Sequence, residues 1–206
     1  MTKGPSSPFW RESAPLVLAS KSAGRRAALS QAAIPFESIP AEIDERGIEA
    51  GLKGAGADAI ASTLAAAKAR VIAAPGRLVL GADQVASCEG RIFGKPVDRR
   101  EAAELLRFLS GKRHRLHSAI ALMRDGVMLF ETVAPADLTM RHLSETFISA
   151  YLEEMGDLAL ASAGVYQIEG LGAQLFSKVE GDHWTIMGLP LIPLFEALRR
   201  EGALLA

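Results

Sequence analysis

A single cysteine in 206 residues, Cys88, removes two possibilities at once. One thiol cannot build an internal disulfide framework, and with no C-x-x-C pair there is no start of a cysteine zinc site. It fits a reducing compartment. Excess charge is scarce too: 23 basic against 24 acidic side chains leave a formal net charge of −1. That balance argues against broad electrostatic binding of DNA or RNA but leaves room for a local basic pocket. Long hydrophobic runs are missing. The longest stretch free of Asp, Glu, Lys and Arg is residues 183–195, which contains two prolines and is too short and broken to span a bilayer. The opening MTKGPSSPFWRES has no apolar core of a secretion signal and reads as a loose extension over residues 1–14. Internal repeats and low-complexity segments are absent. The expectation is a cytoplasmic soluble protein, with residues 15–206 forming one domain or two lobes around a cleft.

The most organised stretch is residues 78–100, LVLGADQVASCEGRIFGKPVDRR. Leu78-Val79-Leu80 reads as a buried strand. It runs into Gly81 and Ala82, small enough to leave room for a ligand, and delivers the carboxylate of Asp83. A polar turn at Glu89-Gly90 follows, and Gly94-Lys95-Pro96 presents an ammonium on a rigid corner. An acid at the end of a buried strand with a lysine brought back beside it suits chemistry on phosphate. It equally describes a helix cap or an ion pair.

Earlier, Leu16-Val17-Leu18-Ala19 reads as the first strand, passing through Ser20-Lys21-Ser22-Ala23-Gly24 into a helix. Small residues at a helix N-terminus leave backbone N–H groups for an anion, and Lys21, Arg25 and Arg26 add positive charge. The alternative is that both arginines are solvated helix residues. Residues 36–39 read as a second strand stopped by Pro40. If Ala41-Glu42-Ile43-Asp44-Glu45 is extended, Glu42 and Asp44 share a face and could hold a hard cation such as magnesium; a solvated acidic loop is the alternative. Residues 47–56 read as a glycine-rich mobile loop and residues 57–74 as an alanine-rich helix carrying Lys68.

Asp98 followed by Glu101 is a capping-box-like helix start, with Leu105, Leu106 and Leu109 on the apolar face. Residues 117–123 and 127–133 flank Asp125-Gly126, a strong hairpin signal. His114 and His117, three apart on a strand, face opposite ways and make poor joint ligands. Ser144 caps a helix over residues 145–155. Residues 161–170, ASAGVYQIEG, read as small residues leading into an extended run that delivers Glu169. Residues 179–182 read as a turn, and Gly188-Leu189-Pro190 starts a final helix to Glu201.

LASKSAGRRAAL, AEIDE, LAAAKA, GADQV, GKP, LSGKRH, AGVYQIEGLGA and GLPL stand in the order and approximate spacing of the Maf family of nucleotide pyrophosphatases. The chain resembles that family over nearly all of its length after residue 15. The resemblance implies an α/β fold of the Maf or ITPase-like kind: a mixed twisted sheet with flanking helices, in two lobes around a central cleft. It implies cleavage of a nucleoside triphosphate between the α and β phosphates, a divalent metal such as Mg or Mn, and a homodimer. Position by position, Asp83 matches the family's proposed catalytic base. Ser22, Arg25, Lys68 and Lys95 match residues lining the phosphate end, and Glu42 belongs to the acidic motif, so that Glu42 and Asp83 are the metal candidates. A reading without catalysis, a nucleotide-binding regulator of septum formation, is also implied.

Three positions bear on the base. Gly24 stands where a bulky or cationic residue is more usual, and Gln84 and Glu169 stand where dTTP- and UTP-preferring members carry threonine and glutamine. The combination resembles 7-methyl-GTP pyrophosphatases. Guanine presents two adjacent donors, and an ionised carboxylate accepts both, whereas a glutamine amide suits thymine or uracil. The alternative for Glu169 is a structural ion pair.

Overall fold

The structure is a computed structural model that describes residues 7–206. The first strand, β1 (Leu16–Leu18), is buried throughout, as a strand covered on both faces must be. Ser22 then caps α1 (Ala23–Gln31) by accepting from the Arg25 N–H at 3.4 Å. β2 (Phe36–Ser38) pairs parallel with β1, Leu16 opposite Phe36. Part of the segment expected as a mobile glycine-rich loop is instead helical: α2 (Glu45–Gly51) forms because the Asp44 carboxylate accepts from the Gly47 N–H at 3.0 Å. α3 (Ala57–Arg70) follows, ending four residues before the expected limit.

β3 (Leu78–Cys88) is far longer than its three leading apolar residues suggest. It runs parallel to β1 at Val79 and Leu80 and pairs antiparallel with β4 (Arg91–Phe93) further on. α4 (Arg99–Leu109) starts at the expected Asp98 cap, whose carboxylate accepts from the Glu101 N–H at 2.7 Å. β5 (Arg113–Arg124) and β6 (Val127–Met140) form the expected hairpin, extended at both far ends. Its turn has positive φ at both Asp125 and Gly126, the conformation an Asp-Gly pair supplies cheaply. α5 (Glu145–Met155) is as expected. β7 (Phe176–Glu180) takes in the first half of the expected turn at 179–182 and pairs antiparallel with β6. A short α6 (His183–Ile186) precedes α7 (Leu191–Arg200).

The chain divides into two compact units. The first holds the described residues up to Gln84 with Ser118–Ala134 and His183–Ala206; the second holds Val85–His117 and Pro135–Asp182. β3, β5 and β6 each carry the chain from one into the other. In the first unit β1 and β3 lie in a core with α1 and α7, built on Leu16, Leu18, Leu29, Leu80 and Leu194. In the second, α4 and α5 pack together, with Leu105, Leu106, Ile148 and Leu152 among their buried residues.

The expected loose extension lies outside the described residues for positions 1–6. From Ser7 on it is tied down: Trp10 bridges to Leu204, the Leu205 N–H donates to the Phe9 carbonyl at 2.8 Å, and Arg124 pairs with Glu12 at 2.6 Å.

Candidate active site

Asp83 follows closely on the residues where β3 runs parallel to β1. Alternation along the strand puts Gly81 and Asp83 on one face and Ala82 and Gln84 on the other. The first face meets α3. A Cβ on Gly81 would run into the Ala65 carbonyl and come within 2.7 Å of the Ala69 nitrogen. The room left at Gly81 is thus filled by helix backbone, not reserved for a ligand. That close approach, with Ala61, Ala65 and Ala69 all buried, brings Lys68 onto Asp83. The Lys68 ammonium donates to Asp83 Oδ1 at 2.5 Å and pairs with Glu45 Oε1 at 3.0 Å. The Lys68 and Asp83 side chains are only 9% and 11% exposed. Lys68 does not snorkel to water. It is a buried cation between two carboxylates, an arrangement that persists only when paired.

Glu45 is the residue that sequence reasoning left without a role. It lies in the acidic run, but Asp44 is occupied as the α2 cap and Glu42 is exposed in the loop ahead of it. The pattern D-E at a helix start was the available signal: the first residue caps and the next points its carboxylate from the first turn.

On the other side of β3, Arg25 is anchored within the protein. Its Nε donates to the Gly188 carbonyl at 2.9 Å, and its Nη1 to Ser20 Oγ at 3.1 Å and the Ala82 carbonyl at 2.8 Å. Burial pushes the guanidinium pKa down, and Asp83 and then Glu45 oppose the shift by their charge. Arg26 is the solvated one, turned back on the Lys21 carbonyl at 2.9 Å. Ser20, also without a role in the sequence reading, accepts from Arg25 and from the Ser22 N–H at 3.2 Å. Gln84 donates its amide N–H groups to Ser118 Oγ at 2.7 Å and to the Thr185 and Ile186 carbonyls at 3.1 Å each. Gly24 has a packing reason: a Cβ there would lie 3.2 Å from the Met187 carbonyl oxygen.

The first unit therefore gathers Ser22, Gly24, Arg25, Lys68, Asp83 and Gln84. Lys95 and Glu169 belong to the second. Lys95 is exposed just after β4. Residues 161–170 are not extended. They fold into bends and turns because Ser162 Oγ donates to the Tyr166 carbonyl at 2.6 Å and accepts its N–H at 3.0 Å, while the Tyr151 hydroxyl donates to the Val165 carbonyl at 2.9 Å. Val165, buried, is held at φ +63°, a strained value for a β-branched residue. Glu169 sits exposed on the following turn, closed by the Gly170 N–H on the Gln167 carbonyl at 3.2 Å. His114 and His117 have separate partners, Tyr166 Oη and Ser87 Oγ, each at 2.8 Å, as their opposite faces require.

A buried lysine–aspartate pair beside a parallel strand, next to a capped helix N-terminus, is an α/β arrangement suited to phosphate groups. Comparison with known proteins makes the assignment specific. The family described as "Maf-like protein" matches residues 15–201. A nucleoside triphosphate pyrophosphatase of Nitrobacter hamburgensis is 53% identical over 197 residues, covering 95% of this chain and 98% of its own. A protein of the same description from Rhodopseudomonas palustris is 54% identical over 200 residues, 95% and 98% of the two chains. A 7-methyl-GTP pyrophosphatase of Rhizobium etli is 52% identical over 193 residues, 92% and 97% of the two. The chain belongs to the Maf family.

Proposed function

We infer that this chain hydrolyses a nucleoside triphosphate between the α and β phosphates, releasing the monophosphate and pyrophosphate. The observation that carries the chemistry is the Asp83–Lys68–Glu45 cluster. A triphosphate repels an attacking water, so a site must supply positive charge where charge develops and hold a carboxylate to orient that water. Lys68, fixed in place by its two carboxylates, supplies the first together with Arg25 and a divalent cation. Asp83 supplies the second. Ser22, at the α1 N-terminus, belongs to the same unit as this cluster, and Lys95 is a further phosphate-binding residue that the family resemblance implies.

A divalent cation, Mg or Mn, belongs to this reading, with Asp83 and Glu45 as the residues that would hold it through the oxygens they do not give to Lys68. Asp83 and Glu45 are hard oxygen donors on either side of one ammonium, and magnesium commonly takes one or two carboxylates with substrate phosphates completing its shell. Among the described residues no group of three or more His, Cys, Asp and Glu is gathered to hold a metal alone. Glu42, the other metal candidate from the sequence, is exposed and is not among the partners of Lys68. When bound, the cation neutralises charge on the triphosphate.

Within this activity we assign a preference for 7-methyl-GTP over dTTP and UTP. Glu169 supports it: its carboxylate is exposed on a braced turn, available to accept from the two adjacent donors of guanine, and methylation at N7 adds a positive charge that a carboxylate favours. The Rhizobium etli relative described as a 7-methyl-GTP pyrophosphatase supports the same assignment. The family resemblance extends the reading to a homodimer. Cytoplasmic location rests on the lone thiol, Cys88, which is buried and free; no described helix is long and apolar enough to cross a membrane. The deciding experiment is pyrophosphate release over 7-methyl-GTP, GTP, dTTP, UTP and CTP with Mg or Mn. The expected result is the highest kcat/KM on 7-methyl-GTP. Inactivity on every nucleotide with tight nucleotide binding retained would favour the regulator of septum formation, and a faster rate on dTTP or UTP would overturn the base assignment.

A further inference from the structure

Two of the positions singled out for the base, Gly24 and Gln84, converge on one short segment of backbone. The Gln84 amide donates to the carbonyls of Thr185 and Ile186. Gly24 leaves the next carbonyl, that of Met187, a space which a Cβ would narrow to 3.2 Å. Arg25 donates to the fourth, Gly188. Four consecutive carbonyls thus have their positions set by three side-chain choices on α1 and β3. Ser118 Oγ adds a second hold by donating to the Thr185 carbonyl at 2.7 Å. The segment reverses at Gly188, with φ +88°, a conformation L side chains rarely adopt, and a Cβ there would lie in van der Waals contact with both Arg25 and Gln84. Arg25 ties the same segment to Ala82, the residue before Asp83.

The chemistry of these contacts says which residue faces the ligand. A glutamine amide nitrogen has two hydrogens, and here three protein acceptors share them, so no N–H of Gln84 is left to read a base edge and its carbonyl oxygen is held where those bonds put it. Gly24 has no side chain to do so. Of residues 185–188, Thr185, Ile186 and Gly188 are buried and only Met187 is partly exposed, beside the α1 N-terminus. A methionine there offers a polarisable, adaptable surface for the face of an aromatic ring.

We propose that residues 185–188, the end of α6 and the turn that follows it, form a specificity-determining wall of the nucleotide site, with Met187 as its contact to the base and Gln84, Gly24 and Arg25 as positioning residues acting through it. This rests on the pyrophosphatase reading but not on which nucleotide is preferred. It explains why Gly24 and Gln84 occur together: a large residue at 24 would displace Met187, and a shorter residue at 84 would release the carbonyls that hold it.

The test compares kcat/KM for 7-methyl-GTP and dTTP on the parent, Q84T, M187A, the Q84T/M187A double variant and M187L. Each of Q84T and M187A is expected to change the purine-to-pyrimidine ratio by about three- to tenfold, chiefly through KM, with M187L restoring most of it. The double variant is expected to match the larger single effect, because both changes remove the same contact. A loss of folded protein would lower kcat on both nucleotides alike and leave the ratio alone. G24A presses on the Met187 carbonyl without touching the Gln84 hydrogen bonds; it is expected to move the ratio the same way and replaces Q84T where that variant fails to fold. A ratio unchanged within about twofold in M187A, or effects of Q84T and M187A that multiply, would overturn the proposal. A parent enzyme preferring dTTP would instead remove the Glu169 assignment, and the variants would still report on the turn.

Discussion

Lys68 lies between two acids, so a substitution at this cluster alters charge balance as well as chemistry. Asp83→Asn keeps the shape of the side chain and a hydrogen-bond acceptor for Lys68, while removing the carboxylate proposed to orient the attacking water. Pyrophosphate release is expected to fall by about two or more orders of magnitude with an unchanged circular-dichroism spectrum; release at the parent rate would take Asp83 out of the reaction. Glu169→Gln exchanges a double acceptor for a donor–acceptor pair. It is expected to narrow or reverse the preference for 7-methyl-GTP by roughly 1–3 kcal/mol, read from the kcat/KM ratios of the two proteins. An unaltered ratio would return Glu169 to a surface role.

At the scale of elements, the contact that matters is α3 on β3. Gly81 permits it, because the helix backbone occupies the space that any side chain would need. Gly81→Ala must move α3 outward, and with it Lys68. The expected outcome is a stability loss of about 1–3 kcal/mol or more, seen in a thermal melt, together with a marked fall in turnover. A variant with the parent melting temperature and rate would show that α3 does not set the distance between Lys68 and Asp83. The sequence had signalled both surfaces, in the alanines of α3 and the small residues after Leu80, without saying that they fill each other. The turn at residues 161–170 shows the opposite case. Its residues read as extended, and side-chain hydrogen bonds from Ser162 and Tyr151 bend it instead.

For the whole molecule the consequence is a stability that falls on acidification in two successive windows. Burial pushes the His114 pKa down to about 4, so the unfolded chain takes up a proton near pH 6.5 that the folded chain refuses. Stability is therefore lost as pH falls from about 6.5 towards 4. Hydrogen bonds from Arg115 and then Arg113 hold Asp137 down to about 2 against burial, which acts the other way. Its contribution is complete above the ordinary carboxylate value of 3.8 and is lost as pH falls towards 2. Denaturant melts across pH 2–7 are expected to show both slopes. His114→Gln should flatten the upper window alone and Asp137→Asn the lower alone. A change in neither slope would mean that other groups govern acid unfolding.

Several parts of the protein were fixed locally and were therefore legible in the chain. Asp98 and Ser144 cap their helices, Asp125-Gly126 turns its hairpin, and Leu16–Leu18 forms a buried strand, because each depends on residues a few positions apart. The resemblance to the Maf family named Asp83 and Lys68, though not the partnership that buries them. Only the tertiary structure decided that Glu45 and not Glu42 meets Lys68, and that Arg25 is tied to carbonyls as far along the chain as Gly188. It alone decided that Gln84 holds a turn about a hundred residues away. These pairings close over long loops, and nothing in the periodicity of either segment records which partner lies opposite.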